Sequence, residues 1–538
     1  MQQTNRDAVA TGRGLGAWLA VVMAAVWCGA LAPLSIAQDD QDAQDAPPSE
    51  QSEQQDPDEA EAPPTTSAAA KLLKKYQKEQ EQAQAPDDDE TEDHDAEAHE
   101  QAHDDAHHGG HGSRLTDKSI PLIDADRLKR NDPLFELGNP FLDAGELDPG
   151  FELPGGAVWQ PELLVFGAYR TAIQTFHDGD DNVAEWANRL DLFANLQLSG
   201  TERLLVGIRP LDEDGEFTGY NFTDPDEGWV NGFDSEVQTF FFEGELAELF
   251  PDLDPHDRWS LDYGFSVGRQ PISFQGGMLI NDDMDAVGIT RNNLIPRGTS
   301  NVRATFLYGW NEIHRDDNRE DDDVHLFGLF TETDLPFSTV NADVIYLNDE
   351  DDQTDGAYWG VSSVQRIGHF NTTLRMLGSH ALEQESAAVS SGYLLFGELS
   401  WTPAYTHDLV YINGFWGIDN FASAARGPAT GGPLGRTGLL FEAVGIGRYG
   451  APLGNRADDA VGGAIGYQMF LDGPDKQVVF ELGARHSTAG LDTAAVAAGA
   501  RYQQALTDHW LLRVDAFGAA RETMGPGFGA RTELRFEF

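Results

Sequence analysis

The chain has 538 residues and a formal net charge of −56, with a pI near 4.3. Acidity on that scale excludes a nucleic-acid partner, whose phosphates need Lys and Arg, and the length predicts more than one region. Mean hydropathy of −0.42 suits a soluble protein, but it suits a transmembrane β-barrel equally, because only alternate barrel residues face lipid.

Residues 1–37 read as a signal peptide. Arg6 and Arg13 give a weakly basic start, Leu15 to Leu34 is mostly apolar, and Ser35-Ile36-Ala37 is a small-x-small cleavage site. The single cysteine, Cys28, lies inside this segment. Bulky Trp27 before it fits lipid attachment poorly, and the mature chain is expected to hold no disulfide and no Cys-based metal site. Residues 38–112 form an acidic, His-rich extension expected to be disordered, with one short helix at 68–84, where Ala, Leu, Lys and Glu predominate. His99, His103, His107 and His111 recur every fourth position, with His94 and His108 beside them. On a helix the four would share a face, and imidazoles next to carboxylates suit loosely held Zn, Ni or Cu. Gly109, Gly110 and Gly112 oppose a rigid helix there. Residues 113–160 are a Pro-rich linker whose scattered apolar residues predict packing on another part of the chain.

From 161 to 538 the pattern becomes strand, turn, strand. Leu190, Leu192, Ala194 and Leu196 alternate with Arg189, Asp191, Phe193 and Asn195. The same period of two governs 259–268, 301–310, 477–485 and 509–517, and several apolar stripes end in Trp or Tyr. Segments 235–246 and 437–447 alternate poorly, which leaves loops, bulged strands and constriction elements open. Acidic interruptions at 178–181, 212–216, 224–227, 316–323 and 349–355 read as long extracellular loops, also suited to divalent cations. Strands of about ten residues, at about 20–24 residues per strand and connection, predict 16 strands, with 14 or 18 as alternatives.

The last strand is the most regular. Phe528, Ala530, Thr532, Leu534, Phe536 and Phe538 alternate with Gly529, Arg531, Glu533, Arg535 and Glu537. This ending resembles the C-terminal strand of bacterial outer-membrane β-barrels. The resemblance implies an antiparallel up-and-down barrel in the outer membrane, in contact with its lipid, with the extension in the periplasm. It also implies that Phe536 and Phe538 are read by the assembly machinery.

Basic residues of this region are nearly all arginine; Lys476 is the only lysine after Lys129. Parity places Arg170, Arg189, Arg203, Arg209, Arg303, Arg375, Arg485, Arg513, Arg531 and Arg535 inward, facing Asp191, Asp262, Glu481, Asp515 and Glu533. Opposed rows of guanidinium and carboxylate set a transverse field across a water-filled lumen. The stretch from Gly268-Arg269-Gln270 through a Gly-containing loop to an Asp-rich turn at Asp282, Asp283 and Asp285 resembles substrate-specific bacterial porins, the alginate-export-like ones among them. In that family the stretch leads to a loop at or in the pore, so Arg269 and the three aspartates are constriction candidates. Gly264-Phe265-Ser266-Val267-Gly268 and His99-Glu100-Gln101-Ala102-His103 match two short hydrolase patterns, but the first lies inside an alternating strand pattern rather than at a strand-to-helix turn and the second in the acidic, His-rich tract; there is no P-loop motif, and no enzymatic activity is expected. The expected function is diffusion of small hydrophilic solutes, with anions favoured. The alternatives are a structural barrel partner of an envelope or electron-transfer complex, and a metal-acquisition channel using the His-rich extension.

Overall fold

The computed structural model describes residues 131–138 and 149–538, apart from 181, 254–255, 257–260, 351–353, 472, 474, 491–493 and 524. The signal peptide, the extension with its helix at 68–84 and the histidine tract lie outside the described residues.

Eighteen antiparallel strands close into one barrel. In chain order they are β1 (Glu162–His177), β2 (Asn182–Gln197), β3 (Arg203–Ile208), β4 (Val237–Glu245), β5 (Tyr263–Phe274), β6 (Ile280–Leu294), β7 (Asn301–Asn311), β8 (Val324–Asp334) and β9 (Ser338–Asp349). They continue with β10 (Gly356–Ile367), β11 (Phe370–Ala381), β12 (Gly392–Trp401), β13 (Leu409–Asp419), β14 (Ala460–Phe470), β15 (Lys476–Ser487), β16 (Ala495–Ala505), β17 (Trp510–Arg521) and β18 (Gly527–Glu537). Each strand pairs with its chain neighbours, and β18 closes on β1 from Phe528↔His177 to Glu537↔Ala168. Closure removes the free edges that an open sheet would present.

The expectation of 16 strands is corrected to 18. Connections on the rim that carries the C-terminus are mostly short, down to Gly368-His369 between β10 and β11. Gly368 takes φ +62° there, a conformation that costs a residue without Cβ little. The saved residues supply the extra hairpin. On the opposite rim the connections are longer, with 209–236 and 420–459 the longest. All five acidic interruptions fall on that rim.

Alternation decides the two faces. Val267, Phe306, Leu329, Val344, Met376, Ile465, Phe480, Leu482 and Phe528 are exposed on the outer wall. Trp186, Tyr220 and Trp229 pack edge-on in an aromatic group toward the long-loop rim, and Trp510 and Phe536 pack with tilted rings at the other. An apolar band between aromatic girdles is what a hydrocarbon layer requires. Segment 235–246 resolves as β4, whose register shifts between Val237 and Thr239; the bulge breaks its alternation.

Two inserts fill much of the lumen. The first is the tip of the β5–β6 hairpin. Gln275 Nε2 donates to Asp343 Oδ2 on β9 at 2.6 Å, and Arg375 of β11 lies against Gly276. A contact from the β5–β6 tip to β9 and β11 crosses the lumen. The second is the connection 420–459, which contains the ambiguous segment 437–447. It pairs in parallel with β6 through Ile280↔Ala425 and Asn281↔Arg426. Met278, Leu279 and Ile280 of the first insert pack with Phe421, Ala424, Leu434, Leu440 and Phe441 of the second, all buried. Arg426, fully buried, ties them by donating to Gly277 O at 2.8 Å.

The linker is ordered where described. Phe135–Leu137 pairs with Leu163–Val165 of β1, and Phe151–Glu152 forms a small hairpin with Val158–Trp159. Both lie toward the rim of the C-terminus, where Phe538 exchanges both backbone hydrogen bonds with Gly167 at 2.8 and 3.1 Å.

Candidate functional site

The second insert is held by side chains rising from the inner wall. Glu481 of β15 accepts the backbone N–H groups of Leu439 and Leu440 at 2.9 and 2.8 Å, and the Tyr411 hydroxyl. Arg170 of β1 donates to Val444 O at 3.0 Å, and Arg189 of β2 to Gly445 O at 2.9 Å. Arg501 of β16 pairs with Glu442 of the insert at 2.5 Å. Arg485 lies 3.4 Å from Leu453 O and over the Phe415 ring. Inward arginines near the insert therefore satisfy its carbonyls, which have no strand neighbour to bond.

Along β1, β16, β17 and β18 four of the expected charges form one chain with Arg501. Arg170 meets Glu533 at 2.7 Å, Glu533 also contacts Arg531, Arg531 meets Asp515 at 3.0 Å, and Asp515 meets Arg501 at 2.7 Å. Arg531, Asp515 and Glu533 are buried, so this part of the wall is a sealed ion-pair network. Arg535 pairs with Glu537 at 2.8 Å near the rim. Arg203 pairs with Glu243, and Arg303 lies 3.6 Å from Glu332. Arg375, Arg436 and Arg513 have no ion-pair partner among the described residues. Arg436 lies on the second insert and donates to Ser273 Oγ on β5 at 3.1 Å.

The constriction candidates need correction. Asp282, Asp283 and Asp285 sit on β6, not in a turn; the chain turns at 275–279, where Gly276 and Gly277 take positive φ. Asp282 is buried and bonds the His314 ring at 2.9 Å. Asp283 pairs with Arg209 at 3.1 Å. Asp285 and Glu312 hold Arg269 at 3.2 and 2.8 Å. Asp262 is also corrected. It precedes β5 and pairs at 3.2 Å with Arg291, which stacks on Tyr263, itself exposed; it is set apart from the lumen group.

Two cavities meet at one pair of arginines. The outer, of about 380 Å³, is lined by Arg189, Arg209, Arg436, Asp212, Asp214, Glu236, Asp283, Glu312 and Glu320. The inner, of about 470 Å³ toward the C-terminal rim, is lined by Arg189, Arg209, Arg535, Asp191, Phe166 and Phe193. Arg189 and Arg209 line both, and they share one carboxylate, Asp191, at 3.0 Å each.

The outer mouth is titratable. Partial burial, then the charges of Glu312 and Asp322, push the Glu320 carboxyl up to about 7. Burial opposes the charge of His314, but the hydrogen bond and charge of Asp282 raise its pKa overall. Asp212 is raised chiefly by burial, against the pull of Arg189 and Arg209. Among the described residues no group of three His, Cys, Asp or Glu side chains is arranged to hold a metal ion.

Sequence reasoning missed Gln275, Arg426, Arg436, Glu442 and Arg501. Arg501 faces Asp515 across the β16–β17 pair, so parity carried a signal for it. The others lie on the inserts, where no alternation exists to orient them.

No family model matches the sequence, and no curated protein matches it. Among solved structures the chain is similar to the outer membrane protein opdK from Pseudomonas aeruginosa, with TM-score 0.48 and 10% identity over 70% of this chain and 98% of that one. A BenF-like porin from Pseudomonas fluorescens Pf-5 gives the same four values. Pseudomonas aeruginosa OccK2 (OpdF) in complex with glucuronate also has TM-score 0.48 and 10% identity, over 70% and 98%.

Proposed function

We propose that the chain is an outer-membrane porin that lets small hydrophilic solutes diffuse, with a weak preference for anions set at Arg189 and Arg209. The observation that carries this reading is the junction itself. Both cavities are lined by the same two guanidiniums, which share Asp191, while Arg209 also pairs with Asp283. Two charges against two leave the junction balanced, so the preference rests on the N–H donors these arginines present to a passage with walls of low dielectric. Arginine also offers a planar fork to a carboxylate or phosphate. The closed barrel, apolar outer wall and polar lumen support placement in the outer membrane.

The acidic outer mouth opposes this preference. Mouth charges are open to solvent and screened beyond about 8 Å at physiological salt. The junction is screened less, so anions are favoured at high salt and the preference drifts toward cations at low salt. Reconstitution in planar bilayers tests the reading. The purified barrel conducts alone if it is a porin. A correctly folded barrel that stays silent contradicts the reading and favours a structural role.

A further inference from the structure

The β5–β6 hairpin reaches across the lumen, and a cavity lies on either side of it. On one side is the outer cavity, which Pro271, Ile272 and Ser273 of β5 help to line. On the other is a third cavity, of about 700 Å³, against the inner wall of β4–β9. Ser273 lines both. The third cavity runs from Gln275 and Gly276 at the hairpin tip down to Thr201, Glu245, Gly264 and Arg303. Those last four stand at strand ends or in a turn on the rim that carries the C-terminus. Arg303 and Glu332 keep 50% and 39% of their side-chain surface exposed there, so that end is wet. The chamber is larger than the inner cavity of about 470 Å³ beyond the arginine junction.

The lining of the chamber is polar and mixed in charge. Glu243 pairs with Arg203, and Glu332 faces Arg303. Asp343 takes the N–H of Gln275. Between them the wall is hydroxyl and amide, from Ser266, Thr290, Thr305, Asn292 and Asn341. Such a wall hydrates small ions of either sign.

The side chain of Arg436 sits where the two cavities meet. It lines the outer cavity and donates to Ser273 Oγ at 3.1 Å. Its stem lies against Gly277, where a Cβ would come within 2.9 Å of Arg436 Cδ. The mount of this side chain is fixed: Leu434, Gly435 and Thr437 are buried, and the backbone turns through Gly435 N to Gly432 O and Thr437 N to Leu434 O, both at 2.9 Å. Arg436 itself is exposed and has no ion-pair partner among the described residues. One hydrogen bond to a neutral hydroxyl in contact with water is weak, and a long side chain gains rotamer freedom on leaving it.

We infer that the lumen forks at this hairpin. One branch passes between Arg189 and Arg209. The second leaves the outer cavity past Ser273, enters the 700 Å³ chamber and reaches the same rim. Arg436 is the latch that closes the second branch. The inference rests on the reading of the barrel as a porin.

Single-channel recording of the purified full-length barrel tests it. Conductance should rise by up to about twofold in Arg436→Ala, as a second branch of comparable bore conducts in parallel. A cysteine placed in the chamber then identifies the route. In Arg436→Ala/Thr290→Cys, a methanethiosulfonate reagent carrying a trimethylammonium group should abolish the added conductance and leave the current near the wild-type level. The same reagent should leave Arg436→Ala without the cysteine unchanged. If Arg436→Ala fails to assemble, Ser273→Ala, which removes the acceptor of the latch, should raise the conductance in its place and decides alone. Wild-type conductance in the latch variant overturns the fork while the porin reading stands. A gain in conductance that modification at residue 290 does not touch also overturns the fork, because the added current then flows outside the chamber. A wild-type barrel that stays silent overturns both readings.

Discussion

Replacing Glu481 by Ala should loosen the second lumen insert without opening the barrel wall. The carboxylate is 3% exposed and accepts two backbone N–H groups of the insert and the Tyr411 hydroxyl. Without it, the buried amides of Leu439 and Leu440 lose their acceptor, at roughly 1–3 kcal/mol each, and the hydroxyl loses about 1 kcal/mol more. The sum, about 3–7 kcal/mol, lowers the ratio of anchored to released insert by about two to five orders of magnitude. Arg170, Arg189 and Arg501 still hold the insert at Val444, Gly445 and Glu442. The expected phenotype is therefore repeated transitions to a higher conductance level in single-channel records, not a permanently wide pore. Glu481→Gln keeps one acceptor oxygen and should show fewer such transitions. Wild-type conductance and wild-type current noise in a folded, heat-modifiable Glu481→Ala barrel would refute the anchoring argument.

Ionisation of Glu320 should be visible at the mouth. Its carboxyl, raised to about 7, is mostly neutral at mildly acidic pH and gains its negative charge as pH rises through that value, so cation preference at low salt should step up across neutral pH; Glu320→Gln should remove the step, and an unchanged step would assign it to other groups. Deleting Phe538 removes two hydrogen bonds to Gly167 at the closing seam and the terminal aromatic of the outer face, so the amount of heat-modifiable barrel in the outer membrane should fall while the conductance of barrels that do insert stays unchanged; normal amounts would count against the terminal residue as an assembly signal. A peptide covering residues 94–111 should bind Zn or Ni at micromolar or weaker affinity and release it as the imidazoles protonate below a pH of about 6.5, and a flat calorimetric trace would show that the tract has no such affinity.

The sequence revealed the outer wall better than the lumen, for a physical reason. In β18, Arg531 and Glu533 face inward and Phe528 outward, and alternation alone orients them. Strands under the inserts obey a different rule. Phe330 of β8 lies under Phe274, and Phe415 of β13 packs edge-on against Phe441. These inward apolar residues give their strands two apolar faces, which blurs a period of two. Leu307 and Phe517 are buried in the same way on strands whose outer stripe is still readable. The insert 420–459 has no period, because each residue answers to a particular partner on the wall. The rows of inward arginine were legible, but their partners were not. Parity shows that Arg189 and Asp191 share a face, yet only the fold brings Arg209 to the same carboxylate from beyond the end of β3.

The reversal potential of single channels under a salt gradient tests the central claim most directly, measured for wild type and for the Arg189→Gln/Arg209→Gln double variant. Removing both guanidiniums leaves Asp191 and Asp283 facing the junction without them. The account predicts weak anion preference for wild type at high salt and a shift of the reversal potential toward cation selectivity in the variant, with the barrel still assembled. An unchanged reversal potential across the salt range would contradict it, because solutes would then be passing somewhere other than between these two arginines.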